Sequence, residues 1–160
     1  MSETFSVRPY QPEDAALLAD IFIRAITEIG PRDYSPDQVD AWAARSPSAD
    51  DLDAKMQDGR IRFVALDRNR PVAFCDLEDN GHIDLLYCAP EAAGRGASGL
   101  LYAQIEAYGR RQGLNRFYTE ASAMARRFFR RQGFQEIGRR DFLIGDTKIH
   151  NFAMEKTLGS

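Results

Sequence analysis

Between Cys88 and Leu101 the chain runs Cys-Ala-Pro-Glu-Ala-Ala-Gly-Arg-Gly-Ala-Ser-Gly-Leu-Leu. A strand-type run, Ile83 to Cys88, enters this segment and Pro90 closes it. Leu101, Ile105 and Tyr108 leave it at helical spacing, so the glycines stand where a strand turns into a helix. Gly94, Gly96 and Gly99 let the backbone approach a ligand closely and aim several N–H groups one way, and Ala97 leaves the same path open. The start of the helix adds its positive dipole end. An anion belongs at such a place, and a pyrophosphate fits it. Ser98 can add a hydroxyl and Arg95 a charged donor. The same glycines would also serve as a tight turn with no ligand, and the residues alone leave both open.

Two other phosphate-binding patterns are tested by the same segment. A P-loop needs Lys directly after its last glycine, where this chain has Leu100. Gly94-Arg95-Gly96-Ala97-Ser98-Gly99 does match the spacing of a dinucleotide fingerprint. It follows a hairpin, however, and stands late in the chain, with Glu120 the sole candidate for the acidic partner. A dinucleotide-binding oxidoreductase therefore stays as a minor alternative.

The remaining elements are punctuated by proline and glycine. Phe5 to Arg8 is a strand stopped by Pro9, and Pro12, Glu13 and Asp14 open a helix. That helix carries Leu17, Leu18, Ile21, Phe22, Ala25, Ile26 and Ile29 to a stop at Gly30-Pro31. Ser35 with Pro36 and Gln38 predicts a capped second helix that holds Val39 and Trp42. Ala49 to Gln57 adds a further turn or two. Strands follow at Arg62–Leu66 and Pro71–Leu77. Asn80-Gly81 predicts a two-residue turn with positive φ at both centres, pairing Asp79 with His82 and Cys75 with Leu86. Gly99–Gln112 and Ser122–Gln132 are helices around a strand at Asn115–Glu120, and Gln135–Gly138 and Ile149–Lys156 are closing strands. Arg-Arg-Gln-Gly occurs at 110–113 and again at 130–133, each time as a helix end. The order predicts one α/β domain over residues 1–160 with a mixed sheet.

Composition limits the function. Twenty-one Lys and Arg against 24 Asp and Glu give a net charge of -3. No basic field is present for a nucleic-acid backbone, so no nucleic-acid partner is expected. An acidic ligand must be held by local groups. Cys75 and Cys88 are too few for a disulfide framework. The MSETFSVRPY start lacks a signal-peptide pattern, and no apolar run reaches membrane length, so a cytoplasmic protein without a membrane partner is expected.

These segments together resemble the GNAT superfamily of acetyl-CoA-dependent N-acetyltransferases. The family's strand-to-helix motif, (Q/R)-x-x-G-x-(G/A), aligns with Ala93 to Ser98, with Gly96 as its first glycine. Ala93 replaces the usual Gln or Arg, and Ser98 the usual Gly or Ala. Leu85–Pro90 is similar to the family's fourth strand. Glu120-Ala121-Ser122, Ala125 and Phe128–Phe134 are similar to its fifth strand and following helix. Val7-Arg8-Pro9 with Glu13-Asp14 is similar to its start. The resemblance implies a mostly antiparallel sheet of about six or seven strands, flanked by helices and splayed between strands four and five. It also implies acetyl-CoA as co-substrate: pantetheine along Leu86, Tyr87 and Cys88, diphosphate on residues 94–99, and Ser122 and Phe129 on the same side.

By that resemblance a primary amine, on a small molecule or a peptide, attacks the thioester directly, and its proton needs an acceptor. Asp84 and Glu120 are the candidates, while His82 borders the turn and is expected to be solvated. The family's usual acid, a Tyr, aligns with Phe129, and Tyr118 or Tyr87 are its substitutes. The missing Tyr also leaves a non-catalytic acyl-CoA-binding module as an alternative. Cys88, without a neighbouring His or Asn, is expected to be a small strand residue rather than a nucleophile. Cys75, Cys88, His82 and His150 lack zinc-site spacing, so no metal is expected. Phe128 and Phe129 suit the core. Arg126, Arg127, Arg130 and Arg131 read as a solvated helix face, with one of them a candidate for the 3′-phosphate of the coenzyme. Tyr34 and Trp42 are expected to line the acceptor pocket. A strand or helix contact between two copies would make a homodimer.

Overall fold

A computed structural model of the protein describes residues 5–159. The first four residues of the segment lacking a signal-peptide pattern lie outside the described residues. The chain forms β1 (Phe5–Pro9), α1 (Ala15–Arg24), α2 (Pro36–Ala43), α3 (Ala49–Ala54), β2 (Ile61–Asp67), β3 (Arg70–Leu77) and β4 (Ile83–Cys88). It continues as α4 (Ala97–Arg111), β5 (Arg116–Ala121), α5 (Ala123–Arg131), β6 (Gln135–Ile144) and β7 (Thr147–Thr157). Among the described residues no helix is long and apolar enough to cross a membrane.

The entry to α1 is tied to the sheet. Arg8 on β1 reaches both carboxylate oxygens of Asp14 at 2.8 Å, and Asp14 accepts the Gln11 backbone N–H at 2.9 Å. Leu18, Ile21 and Phe22 then face the core. The helix does not continue regularly to Ile29 as its spacing predicts. It widens into a π turn at Ala25–Ile29 before Gly30, a device frequent at functional sites. The α2 cap follows its sequence signature: Ser35 Oγ accepts from Gln38 N at 3.2 Å, and Gln38 Oε1 accepts from Ser35 N at 3.0 Å.

Two sheet segments result, in the orders β1-β2-β3-β4 and β5-β7-β6, with every pairing inside them antiparallel. Among the described residues a single parallel bridge, His82 to Tyr118, joins them. Tyr118 N donates to Gly81 O at 3.1 Å and Thr119 Oγ1 to Ile83 O at 2.8 Å. Beyond these bonds β4 and β5 separate, and this is the splay the family resemblance implies.

The turn that brings them together differs from expectation. Gly81 alone has positive φ, 95°. Its N–H donates to Glu78 O at 3.1 Å, while Glu78 N donates to His82 O at 2.8 Å. The loop is therefore Asp79-Asn80-Gly81, three residues with glycine in the left-handed position, and Asp79 does not face His82. Leu77 pairs with Ile83 and Cys75 with Leu86. Asp84 and Leu85 consequently share one opposite residue, Asp76, in a β-bulge that restores the predicted Cys75–Leu86 register. Cys75 and Cys88 are both free thiols.

The second sheet is longer than its sequence suggests. β6 runs on through Arg139, Arg140 and Asp141 to Ile144, although most of it is exposed. It is an edge strand held by β7, so its polar residues need no burial on either face. The apolar core runs from Leu18 and Leu52 through Phe74 to Leu101, Ile105, Phe117 and Met154.

Candidate active site

Two cavities meet in the gap between β4 and β5. The first, about 430 Å³, runs from the π turn and Leu86–Cys88 to the glycine turn, where Gly94, Gly96, Ala97, Ser98 and Gly99 line its end. Gly96 is the N-cap of α4 with φ 97°, and no side chain caps the first amides of that helix. The first backbone bond of α4 is Leu100 N to Gly96 O. The amides of Ala97, Ser98 and Gly99 lie in the turn that has no partner inside its own helix. Gly94 also has positive φ, and a Cβ at Gly94 or Gly96 would meet nothing within 4 Å. Backbone conformation, with open space beside it, is what requires glycine there.

The charged residues lining this cavity are Asp33 and Arg131. Arg127 pairs with both oxygens of Asp33, at 3.2 and 2.9 Å. With Asp33 neutralised, Arg131 sets the sign of the lining, as an anionic ligand needs. Its neighbours are committed elsewhere: Arg126 and Arg130 both meet Glu136. Arg95 is absent from the lining. Its guanidinium lies 5.0 Å from the Phe5 ring centre and 3.6 Å from Asp67.

The second cavity, about 330 Å³, lies on the other side of Leu86 and Tyr87. Aromatic and aliphatic side chains wall it, among them Phe22, Phe142, Ile144 and Ile149, and Arg45, Asp84 and Glu120 bring charge to it. Tyr34, Trp42, Leu86, Tyr87, Ser122 and Ala125 line both cavities. Tyr34 fixes this shared wall. Its hydroxyl donates to His150 O at 3.1 Å and accepts from Ala123 N at 3.0 Å. Trp42 packs edge-on against it, with ring centres 5.4 Å apart. Ser122 caps α5 through a 3.3 Å bond from Ala125 N.

The two candidate carboxylates have different surroundings. Asp84 Oδ2 receives Arg60 at 2.8 Å and Lys55 at 3.7 Å. Arg60 also holds the buried Asp76 at 2.8 Å. Glu120 instead meets His82, whose Nε2 lies 2.7 Å from Glu120 Oε1 and whose Nδ1 lies 2.5 Å from Glu78 Oε1. His82 is thus no solvated turn residue: its side chain is 16% exposed. Burial pushes its pKa down, but the hydrogen bonds to Glu78 and Glu120 outweigh that and leave it raised. Its intrinsic pKa was the signal in the sequence, but the bulged turn that buries it was not legible there. Glu78, His82 and Asp84 place ligand-type atoms within 4.8 Å of one another. The Arg60 cation already pairs with both carboxylates there, at 2.8 Å to Asp84 and 3.8 Å to Glu78.

Several expected site residues stand elsewhere. Tyr118 lines neither cavity; its hydroxyl accepts from Asn80 Nδ2 at 3.0 Å and its ring lies beside His82. Phe129 is 1% exposed and reaches the second cavity, whereas Phe128 borders the first. Tyr87 lies between Phe22 and Phe74, with ring centres at 4.1 and 5.9 Å, and reaches both cavities. Burial and then the charge of Asp84 raise its pKa. Cys88 lines the first cavity with its thiol pushed up to about 11, chiefly by burial.

Known proteins share this fold. A family model described as Acetyltransferase (GNAT) domain matches residues 31–158. The chain is 36% identical over 132 residues to the uncharacterized N-acetyltransferase YafP of Escherichia coli K12, covering 82% of this chain and 81% of that one. It is similar to a GCN5-related N-acetyltransferase from Rhodopseudomonas palustris, with a TM-score of 0.90, 32% identity, and coverage of 99% and 98%. At the level of fold it is similar to the PaiA N-acetyltransferase of Thermoplasma acidophilum, solved with coenzyme A. That likeness has a TM-score of 0.76, 18% identity, and coverage of 96% and 99%.

Proposed function

The chain belongs to the GNAT acetyltransferase family and is an acyltransferase; from that premise we propose that it moves an acetyl group from acetyl-CoA to a primary amine by direct attack within a ternary complex. The observation that carries this is the junction of two cavities across one shared wall. One ends at the glycine turn of α4 and the other at Glu120.

The residues present fit the coenzyme. The amides of Ala97, Ser98 and Gly99 and the dipole of a 15-residue helix suit a diphosphate. Leu86 to Cys88 offer strand backbone to the pantetheine arm, and Arg131 offers a cation to a phosphate. Acetyl-CoA supplies the acetyl group as an activated thioester. A thiol at about 11 is a poor nucleophile near neutrality, so Cys88 supports transfer without an acyl-enzyme.

Glu120 takes the proton of the incoming ammonium. Asp84 serves the fold instead, because two cations meet on one of its oxygens and it belongs to the ion network that includes Asp76. Tyr87 supplies a hydroxyl to the sulfur side. Its raised pKa keeps the phenol protonated, as a donor must be, and it reaches both cavities where Tyr118 reaches neither. The acceptor cavity favours an amine with an apolar or aromatic body, because Phe22, Trp42, Phe142 and Ile149 offer it little hydrogen bonding.

The test is thiol release from acetyl-CoA with a panel of aliphatic, aromatic and peptide amines, with products identified by mass. Acetylated aromatic or apolar amines are expected. If a protein that binds acetyl-CoA acetylates no amine in the panel, the proposal fails.

A further inference from the structure

The His82 ring lies between two carboxylates, and both of its nitrogens are engaged: Nδ1 at 2.5 Å from Glu78 and Nε2 at 2.7 Å from Glu120. An ionised carboxylate can only accept. A neutral imidazole has one N–H and can satisfy only one of the two, leaving a lone pair against the other. The geometry therefore needs the imidazolium, with both nitrogens donating. The ring is further held by Tyr118, whose centre lies 4.8 Å away, and by its own backbone N–H, which donates to Asn80 Oδ1 at 3.0 Å.

We propose that His82 is a positioning residue: as an imidazolium it holds the Glu120 carboxylate at the acceptor cavity, and losing its proton releases Glu120 and lowers the rate of acetyl transfer. This rests on the assignment of Glu120 as proton acceptor. The amine proton goes to Glu120 and from there to solvent, since the Glu120 side chain is 33% exposed. His82 keeps both of its protons through the cycle.

The charged and titratable groups around His82 come from three directions. Glu78 precedes the turn and is shared with Arg60 at 3.8 Å. Glu120 and Tyr118 come from β5, with Arg116 4.7 Å from the Tyr118 ring centre. Asp84 follows on β4. The two carboxylates bonded to the ring favour the charged form, in keeping with the raised pKa of His82.

Two variants test this. His82→Gln keeps a donor and loses the charge, whereas His82→Arg keeps a permanent charge and several N–H donors. The wild-type pH profile of kcat is expected to show an alkaline limb. In His82→Gln, kcat should fall about tenfold or more, the scale of a lost hydrogen bond to a charged group, with KM for acetyl-CoA changed less than about twofold. His82→Arg should recover much of that loss, and neither variant should show the alkaline limb. Wild-type kcat in His82→Gln, no recovery in His82→Arg, or an unchanged alkaline limb in either overturns the inference. Glu120→Gln separates the two levels. If it stays fully active, the assignment of the base falls and the role of His82 with it. If it is inactive while the His82 variants keep the limb, only the positioning role falls.

Discussion

Asp76 collects two guanidinium groups inside the protein. Arg62 reaches it through Nε at 2.6 Å and Nη2 at 2.9 Å, and Arg60 through Nη1 at 2.8 Å. Asp76 and Arg62 are both 0% exposed. Removing charges from water costs several kcal/mol per ion, so the cluster depends on the Asp76 carboxylate. Arg62 Nη1 has no hydrogen-bond partner among the described residues, and its guanidinium lies 4.6 Å from the Tyr10 ring centre. Asp76→Ala should therefore destabilise the protein by about 3–5 kcal/mol, because the buried Arg62 loses the carboxylate that pairs it, while Arg60 keeps Asp58 and Asp84. Urea unfolding at neutral pH measures this, and a loss under about 1 kcal/mol would contradict the pairing. The cluster also reaches the site, since Arg60 carries it on to Asp84. None of this was legible in the sequence. Arg62 stands at the start of a strand pattern, where a charge is ordinarily solvated. Its partner lies 14 residues on, a link that only the register of β2 on β3 creates.

At the scale of elements, the joint between the two sheet segments is the critical contact. A Cβ at Gly81 would lie 2.3 Å from the Arg116 carbonyl oxygen, and φ there is 95°. Gly81→Ala should cost at least about 2 kcal/mol through strain and forced separation of β4 from β5. At about 2–4 °C per kcal/mol for a chain of this size, Tm should fall by about 4 °C or more. Gly99→Ala is the contrast, with an ordinary helical position and nothing within 4 Å of the added carbon. Its Tm should hold or rise slightly, by the helix preference for alanine. Equal losses in both variants would contradict the close approach at Gly81. The pairing of Cys75 with Leu86 and the Ser35–Gln38 cap were legible because local chemistry sets them. The extra loop residue at Gly81 was not, since the second strand's approach selects the looser turn. The length of β6 was hidden for a related reason: Arg139, Arg140 and Asp141 mark a strand only once β7 supplies the partner.

Over the whole molecule, stability should depend on pH from both sides. Asp14 has its pKa lowered: burial opposes this, and bonds from Arg8 and Gln11 prevail. Asp58 is lowered by its bond to Arg60. These carboxylates stabilise the fold above their ordinary value of 3.8, and that contribution disappears as pH falls through their lower folded values. His82 has the opposite sign. Its raised folded pKa stabilises fully below its ordinary 6.5, and the contribution is lost as pH rises through the folded value. From about pH 5.5 to about pH 8.5 the urea midpoint should therefore fall more in the wild type than in His82→Gln; identical changes would contradict a clamped imidazolium. The splay itself, on which both cavities depend, was legible only through the family resemblance. It arises where β4 and β5, separated in sequence by the glycine turn and all of α4, touch at one bridge and then part.

The central claim is that the glycine turn of α4 receives the diphosphate of acetyl-CoA, and calorimetric titration of acetyl-CoA into the wild type, Gly96→Asn and Gly96→Asp tests it most directly. Asn tolerates positive φ and is neutral, so it should bind more weakly than wild type but measurably. Asp has nearly the same shape with a negative charge at the phosphate, and should show no detectable binding while remaining folded by circular dichroism. Wild-type affinity in Gly96→Asp would contradict the claim.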